Sequence, residues 1–157
     1  MIPKIITDAN FTTTAIGVAD RAQSSLLIVQ YLFVLDRTAS HPAPRIAAAL
    51  MEAAERGVQV RILLNHFSHG RAASRSGLHR PVELSHHNID LRWHTRGQVL
   101  HAKVIVGDNR EVLVGSHNLS QWCLTRSHNL SILTNDTTTG PAVLAVYDPM
   151  FARAKHA

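Results

Sequence analysis

Cysteine is almost missing from this chain. Cys123 is the single one in 157 residues, so no intrachain disulfide can form. It follows Trp122 in a segment that reads as a helix, where a core position suits it better than a nucleophilic role. Aromatic residues make up only 5%, too few for base stacking to dominate binding. Acidic residues are also scarce, 11 against 16 Lys and Arg. The resulting net charge of +5 favours polyanionic partners, nucleic acid first among them. Long apolar runs are lacking. The longest, Leu26 to Leu35, is interrupted by Gln30 and is too short to span a membrane. The start, Met1-Ile2-Pro3-Lys4, lacks the apolar stretch of a secretion signal, so a cytoplasmic location is expected. No H-E-x-x-H pattern accompanies the 11 histidines. His66 with His69 and the adjacent His86 and His87 do not make a zinc signature, so neither metal nor cofactor is expected.

What is present is a soluble core composition, 45% hydrophobic, in a length that fits one domain over residues 1–157. Helix-like and strand-like segments alternate. Helices are expected over 12–23, 42–56, 119–126 and 141–155. Strands are expected over 26–35, 58–64, 89–93, 99–106 and 130–134, with Val112-Leu113-Val114 returning from a turn at 107–110. This order implies the α/β class, a mixed β-sheet flanked by helices on both faces. There is no internal repeat and no low-complexity tail.

One stretch carries chemistry. His101-Ala-Lys103 is followed at fixed spacing by Asp108 and then Gly115-Ser116-His117-Asn118, an H-x-K-x4-D-x6-G-S-x-N pattern. In a strand, His101 and Lys103 share a face, while Val104 and Val106 alternate around it. A hairpin turning at Gly107-Asp108-Asn109-Arg110 brings Ser116 and Asn118 back beside them. Such a set can handle a phosphate without a metal. A neutral imidazole is a covalent nucleophile. Lys103 is a compact cation for a pentacovalent phosphorus, and Ser116 and Asn118 are neutral donors to its oxygens. Asp108 belongs to the same motif and reads as the hairpin's anchor, bonded to nearby backbone N–H groups.

The pattern is the HKD motif, and the chain resembles the small, single-motif bacterial endonucleases of the phospholipase D superfamily. Ala22 to Val29 and the segment from Arg45 through Gly57 to Asn65 add to the likeness, which extends over roughly residues 10–155. The resemblance implies a phospholipase D-like α/β/α sandwich. It also implies a metal-independent phosphodiesterase acting through a phosphohistidine. His101 would be nucleophile or acid, Lys103 and Asn118 phosphate ligands, and Ser116 a further phosphate contact. A family glutamate that follows the G-S-x-N segment and orients the histidine has no counterpart in Arg126 to Ser131. His128, Asn129 and Ser131 are the candidates to stand in.

That mechanism uses two histidines, and the chain has one motif. A homodimer with both motifs at a two-fold axis is therefore expected, with one composite site. Arg71, Arg75 and Arg80, in a Gly-, Ser- and Arg-rich segment, are candidate contacts to the nucleic-acid backbone. His117, at the variable position of the motif, is a candidate substrate contact. The expected activity is cleavage of DNA, or of RNA, with little sequence specificity and no membrane partner. Two alternatives stand beside it: a hydrolase of phospholipids or other small phosphodiesters, and a nucleic-acid-binding module with weakened catalysis.

Overall fold

The computed structural model describes residues 2–35, 41–67, 81–95 and 97–157. The strands are β1 (Lys4–Thr7), β2 (Ser25–Gln30), β3 (Gln59–Asn65), β4 (Asp90–His94), β5 (Lys103–Gly107), β6 (Glu111–Gly115), β7 (Leu130–Asn135) and β8 (Lys155–His156). The helices are α1 (Asp8–Arg21), α2 (Pro42–Glu55), α3 (Gln121–Thr125) and α4 (Thr139–Arg153), with a 3₁₀ helix at Pro81–His87. These strands form one mixed sheet in the order β1-β7-β6-β5-β2-β3-β4-β8. The β2–β3 and β3–β4 pairs are parallel and the rest antiparallel.

The central strands explain the two faces. In β2, Leu26 and Ile28 enter one apolar cluster, while Leu27 and Val29 enter another on the opposite side. A strand buried on both faces reads as an unbroken apolar run, which is what Leu26 to Val29 is. The larger cluster packs against α1, α2, the 3₁₀ helix and α3. The smaller is covered by Leu144 and Phe151 of α4. Helices thus flank both faces, as the alternation of segments implied.

Local signals set the ends of α2. Its N-cap, His41, accepts a bond from Ala43 N at 3.1 Å, and Pro42 occupies the first turn. Gly57, at φ +91°, then turns the chain, and Val58 N bonds back to Ala53 O at 3.1 Å. The Ile46, Leu50 and Ala53 stripe is buried.

Several boundaries differ from the sequence reading. The strand expected over 26–35 ends at Gln30, and Phe33 keeps only an isolated bridge to Leu119. The strand expected from residue 99 starts at Lys103, because Leu100 N goes to the Asn65 side chain instead of a ladder partner. Helix α1 begins at Asp8 rather than Thr12, directly after β1. Strand β1 and the 3₁₀ helix lie outside the expected elements, and β8 takes Lys155, the last residue of the helix expected over 141–155. At four and two residues, β1 and β8 are too short to show alternation.

Candidate active site

The motif is folded as the β5–β6 hairpin, with Val104 opposite Val114, Ile105 opposite Leu113 and Val106 opposite Val112. Val104 and Val106 sit in the α4-side cluster and Ile105 in the other. Lys103, two residues before Ile105, takes the Ile105 side of the strand. At the turn, Asp108 and Asn109 hold φ +49° and +56°, the left-handed pair a tight hairpin demands.

Asp108 does structural work. Its carboxylate accepts from Gln23 N (2.9 Å), Ser24 N (2.8 Å), Ser24 Oγ (2.8 Å) and Ser25 N (3.0 Å). Burial acts to raise its pKa, and the bonds from Ser25, Gln23 and Ser24 more than offset this, so the group ends below its ordinary value. The length of β5 places it on the order of 17 Å from Lys103. It ties the hairpin to the α1–β2 loop, the anchoring place its motif position suggested, and is remote from the His101–Lys103 end rather than a catalytic group.

The other end of β5 gathers reactive groups around Tyr31. The His101 ring lies 4.7 Å from the Tyr31 ring, tilted by 59°, and Lys103 Nζ lies 5.1 Å from the Tyr31 centroid. Lys103 is only 7% exposed and donates to the His101 carbonyl oxygen. Burial lowers its pKa, with the neighbouring Cys123 thiol acting the other way. Tyr31 follows the strand that pairs with β5, and its N–H bonds Ala102 O at 3.1 Å. Only that pairing identifies it, so nothing in the sequence motif could point to it. His101 itself is exposed and lines a cleft of about 670 Å³ with His94, Gln98, Tyr147, Met150 and Arg153.

Gly115 explains its own identity. A Cβ there would stand 2.3 Å from both Leu130 O and Ser131 Oγ, so only glycine lets β6 approach β7 this closely. Ser116 then continues the contact. Its hydroxyl donates to Asn129 Oδ1 at 2.9 Å and accepts from Leu130 N at 3.1 Å. Asn118 N donates to Cys123 Sγ at 3.0 Å, and burial raises the pKa of the Cys123 thiol against the opposing pull of the Lys103 ammonium. Cys123 is thus a buried side chain linking α3 to Asn118 and Lys103. Asn118 Oδ1 is buried without a hydrogen-bond partner. So are both amide atoms of Gln30, whose position is directly opposite Lys103 in the β2–β5 ladder.

His117 differs from expectation. It is fully buried, stacked on Phe11 at 4.1 Å and 13°, with Nδ1 2.7 Å from Ser131 Oγ and Nε2 3.7 Å from Asp8 Oδ1. Burial lowers its pKa, against the pull of Asp8. The expected substrate contact is corrected to an internal one: His117 fastens the motif to α1 and β7. Asp8, absent from the sequence reading, also accepts from Asn129 N and pairs with His128 Nδ1 at 3.1 Å. The three stand-ins for the glutamate are thereby occupied: His128 with Asp8, Asn129 with Ser116, Ser131 with His117. Among the described residues no carboxylate bonds the His101 imidazole. Arg71, Arg75 and Arg80 lie outside the described residues. Among the described residues no three His, Cys, Asp or Glu side chains converge as a metal site would need. No helix in the described residues is long and apolar enough to cross a membrane.

Comparison with known proteins fits this fold. No curated protein matches the sequence. Nuc from Salmonella typhimurium, a phospholipase D family member, superposes with a TM-score of 0.78 at 22% identity, covering 99% of this chain and 98% of that one. NucT from Helicobacter pylori gives 0.73 at 20%, with 99% and 98% covered. TrmBL2, an archaeal chromatin protein, gives 0.67 at 15%, with 99% of this chain and 54% of that chain covered. The family model described as cardiolipin synthase, PLD-like domain, matches residues 16–154. With that match spanning the whole hairpin site, the chain belongs to the phospholipase D-like family of phosphodiesterases.

Proposed function

We propose that this protein is a metal-independent nuclease that cleaves phosphodiesters of DNA or RNA through a phosphohistidine at His101. The observation that carries the reading is the convergence of an exposed imidazole and a buried ammonium on one ring, Tyr31, with Asn118 joined to the same corner through Cys123. In the first step a His101 ring nitrogen forms a bond to phosphorus and one ester P–O bond breaks. Lys103 and Asn118 hold the non-bridging oxygens, and the leaving oxygen takes a proton. In the second step water attacks, the N–P bond breaks, and a phosphomonoester leaves. The net charge of +5 favours a polyanionic substrate.

The proton donor is assigned to the partner subunit's His101 in a homodimer. A patch of exposed apolar side chains supports this. Ile5, Ile132 and Val114 are 60%, 37% and 39% exposed and lie side by side across β1, β7 and β6. Val114 pairs with Val104, so the row is on the α4 side of the sheet. Val99 and Val146, also exposed, line the same cleft as His101. Isolated monomers seldom leave such a strip bare.

The test is cleavage of plasmid and single-stranded DNA in EDTA. Wild type is expected to cut both, and His101→Ala to lose cutting while still binding. Undiminished cleavage by the variant would remove His101 from the mechanism. Sedimentation at assay concentration should show a dimer; a fully active monomer would remove the composite site. The second reading, a nucleic-acid binder with weak catalysis, is favoured by the lack of a carboxylate on His101 among the described residues. It predicts binding without turnover in the same assay.

A further inference from the structure

Trp122 is the one aromatic among the exposed large apolar side chains of the described residues, 65% exposed, whereas Trp93 is buried. It stands on α3, which begins three residues after Asn118. An indole has a large apolar surface that folding usually buries, so one left in water is a candidate contact surface. It is also held firmly. Ser120 caps α3, Ser127 Oγ donates to Trp122 O at 3.3 Å, and the next residue, Cys123, is seated in the protein with its carbonyl bonded by Asn129 Nδ2 at 3.2 Å. One turn on, the Arg126 guanidinium lies 5.8 Å from the indole centroid.

The surroundings point to an anion-bearing ring as guest. No carboxylate occurs between Glu111 and Asp136, while Arg126 and Lys103 supply positive charge at the two ends of this corner. Asp8, which lines a pocket with Arg126, is engaged by Asn129 N and His128. Trp122 is four positions on from Asn118, a reach of at most about 14 Å. A strand whose phosphate sits at Lys103 and Asn118 therefore passes within range of the indole.

We infer that Trp122 and Arg126 form a stacking platform for an unpaired base flanking the scissile phosphate, with Arg126 on the adjoining backbone phosphate. The inference rests on the nucleic-acid reading of the hairpin site. Bases inside a duplex have no free face to offer, so the platform selects single-stranded or frayed nucleic acid over intact duplex. A single such position suits a chain that is only 5% aromatic.

Two measurements test it. The first is Trp fluorescence of His101→Ala, which should bind without cutting, titrated with a single-stranded oligonucleotide. Quenching is expected, and it should vanish in His101→Ala/Trp122→Phe, where the buried Trp93 alone reports. The second is steady-state cleavage. Trp122→Ala should raise KM for the oligonucleotide by about 5- to 100-fold, the range set by loss of one stacked base. It should leave KM for a duplex and hydrolysis of bis(p-nitrophenyl) phosphate unchanged. Trp122→Phe should restore most of the affinity, and Arg126→Ala should weaken it in a salt-dependent way. Equal losses on all three substrates would overturn the platform. So would quenching by phosphatidylglycerol vesicles alone, or dissociation of a dimer by Trp122→Ala. Failure of the nuclease reading looks different: wild type would cut no nucleic acid, whereas fluorescence would still report whether the platform binds it.

Discussion

The two ends of the β5–β6 hairpin belong to one motif and are built in opposite ways. At the turn end, four hydrogen bonds converge on the Asp108 carboxylate. At the reactive end, His101 has no bonded carboxylate among the described residues, and Asn118 Oδ1 and both Gln30 amide atoms are buried without partners. A buried polar atom without a partner costs about 1–3 kcal/mol. The hairpin thus concentrates its stability at the turn and leaves unmet hydrogen-bonding capacity where the substrate is proposed to sit. A motif's residues need not share a role to share a pattern.

The largest way to break this contrast is Lys103→Met. The substitution removes a buried cation at the reactive end, so kcat is expected to fall by at least about 1000-fold. The melting temperature should hold or rise, because a partly desolvated charge is replaced by an apolar chain. Steady-state kinetics and thermal melts on the same sample check both halves. Burial lowers the Lys103 pKa, so the alkaline limb of the wild-type rate profile should begin below the ordinary lysine value of 10.5.

Asp108→Ala is the mirror experiment and comes next in size. It strips four bonds from the turn end and should destabilise the fold by about 2–4 kcal/mol in urea unfolding, while cleavage at low temperature keeps most of its rate. The group also predicts a pH response. Its folded pKa is below its ordinary value of 3.8. Its contribution is therefore complete above that value and is lost as pH falls through the folded pKa. Asp108→Asn should show a shallower loss of stability below about pH 3.8 than wild type.

Much of the fold and part of the site could be read in advance. The spacing of His101, Lys103 and Asn118 pointed to one corner of the sheet, the proposed site, because a motif is local, and hairpin geometry follows from local spacing. The unbroken run Leu26 to Val29 pointed to a central strand for the same reason. Tyr31, Gln30, Asp8 and Cys123 were not legible as parts of the site. Each arrives from another element, through the β2–β5 register, the start of α1 or the seat of α3, and periodicity carries no information on which elements meet. His117 misled because the strand alternation that put Asn118 forward as a ligand gives no sign that Phe11 and Ser131 close over its neighbour.

Gln30→Leu sharpens the contrast from the other direction. Leucine is close in volume and leaves no amide to satisfy, so stability should rise by about 1–2 kcal/mol. If the orphaned amide serves the bound state, KM should rise while kcat stays near wild type. If it serves nothing, only the unfolding midpoint should move. A drop in stability would mean the amide is satisfied in solution, and the reactive end would then be no poorer in bonds than the turn.

The smallest effect is expected at Arg21, which pairs with Glu111 just past the turn through Nε (3.2 Å) and Nη2 (2.8 Å). The geometry is bidentate, yet the Arg21 side chain is 57% exposed. Solvent screens such a pair, and Arg21→Ala should cost less than about 1 kcal/mol, shrinking further in 1 M salt. Asp108 lies in the turn three residues before Glu111, and three of its four bonds come from backbone N–H groups, which cannot swing into water as a guanidinium can. If Arg21→Ala cost as much as Asp108→Ala, the strength of the turn end would come from charge pairing, and salt would erase it. The expected result, a several-fold smaller loss that salt abolishes, places that strength in the fixed hydrogen bonds of one carboxylate.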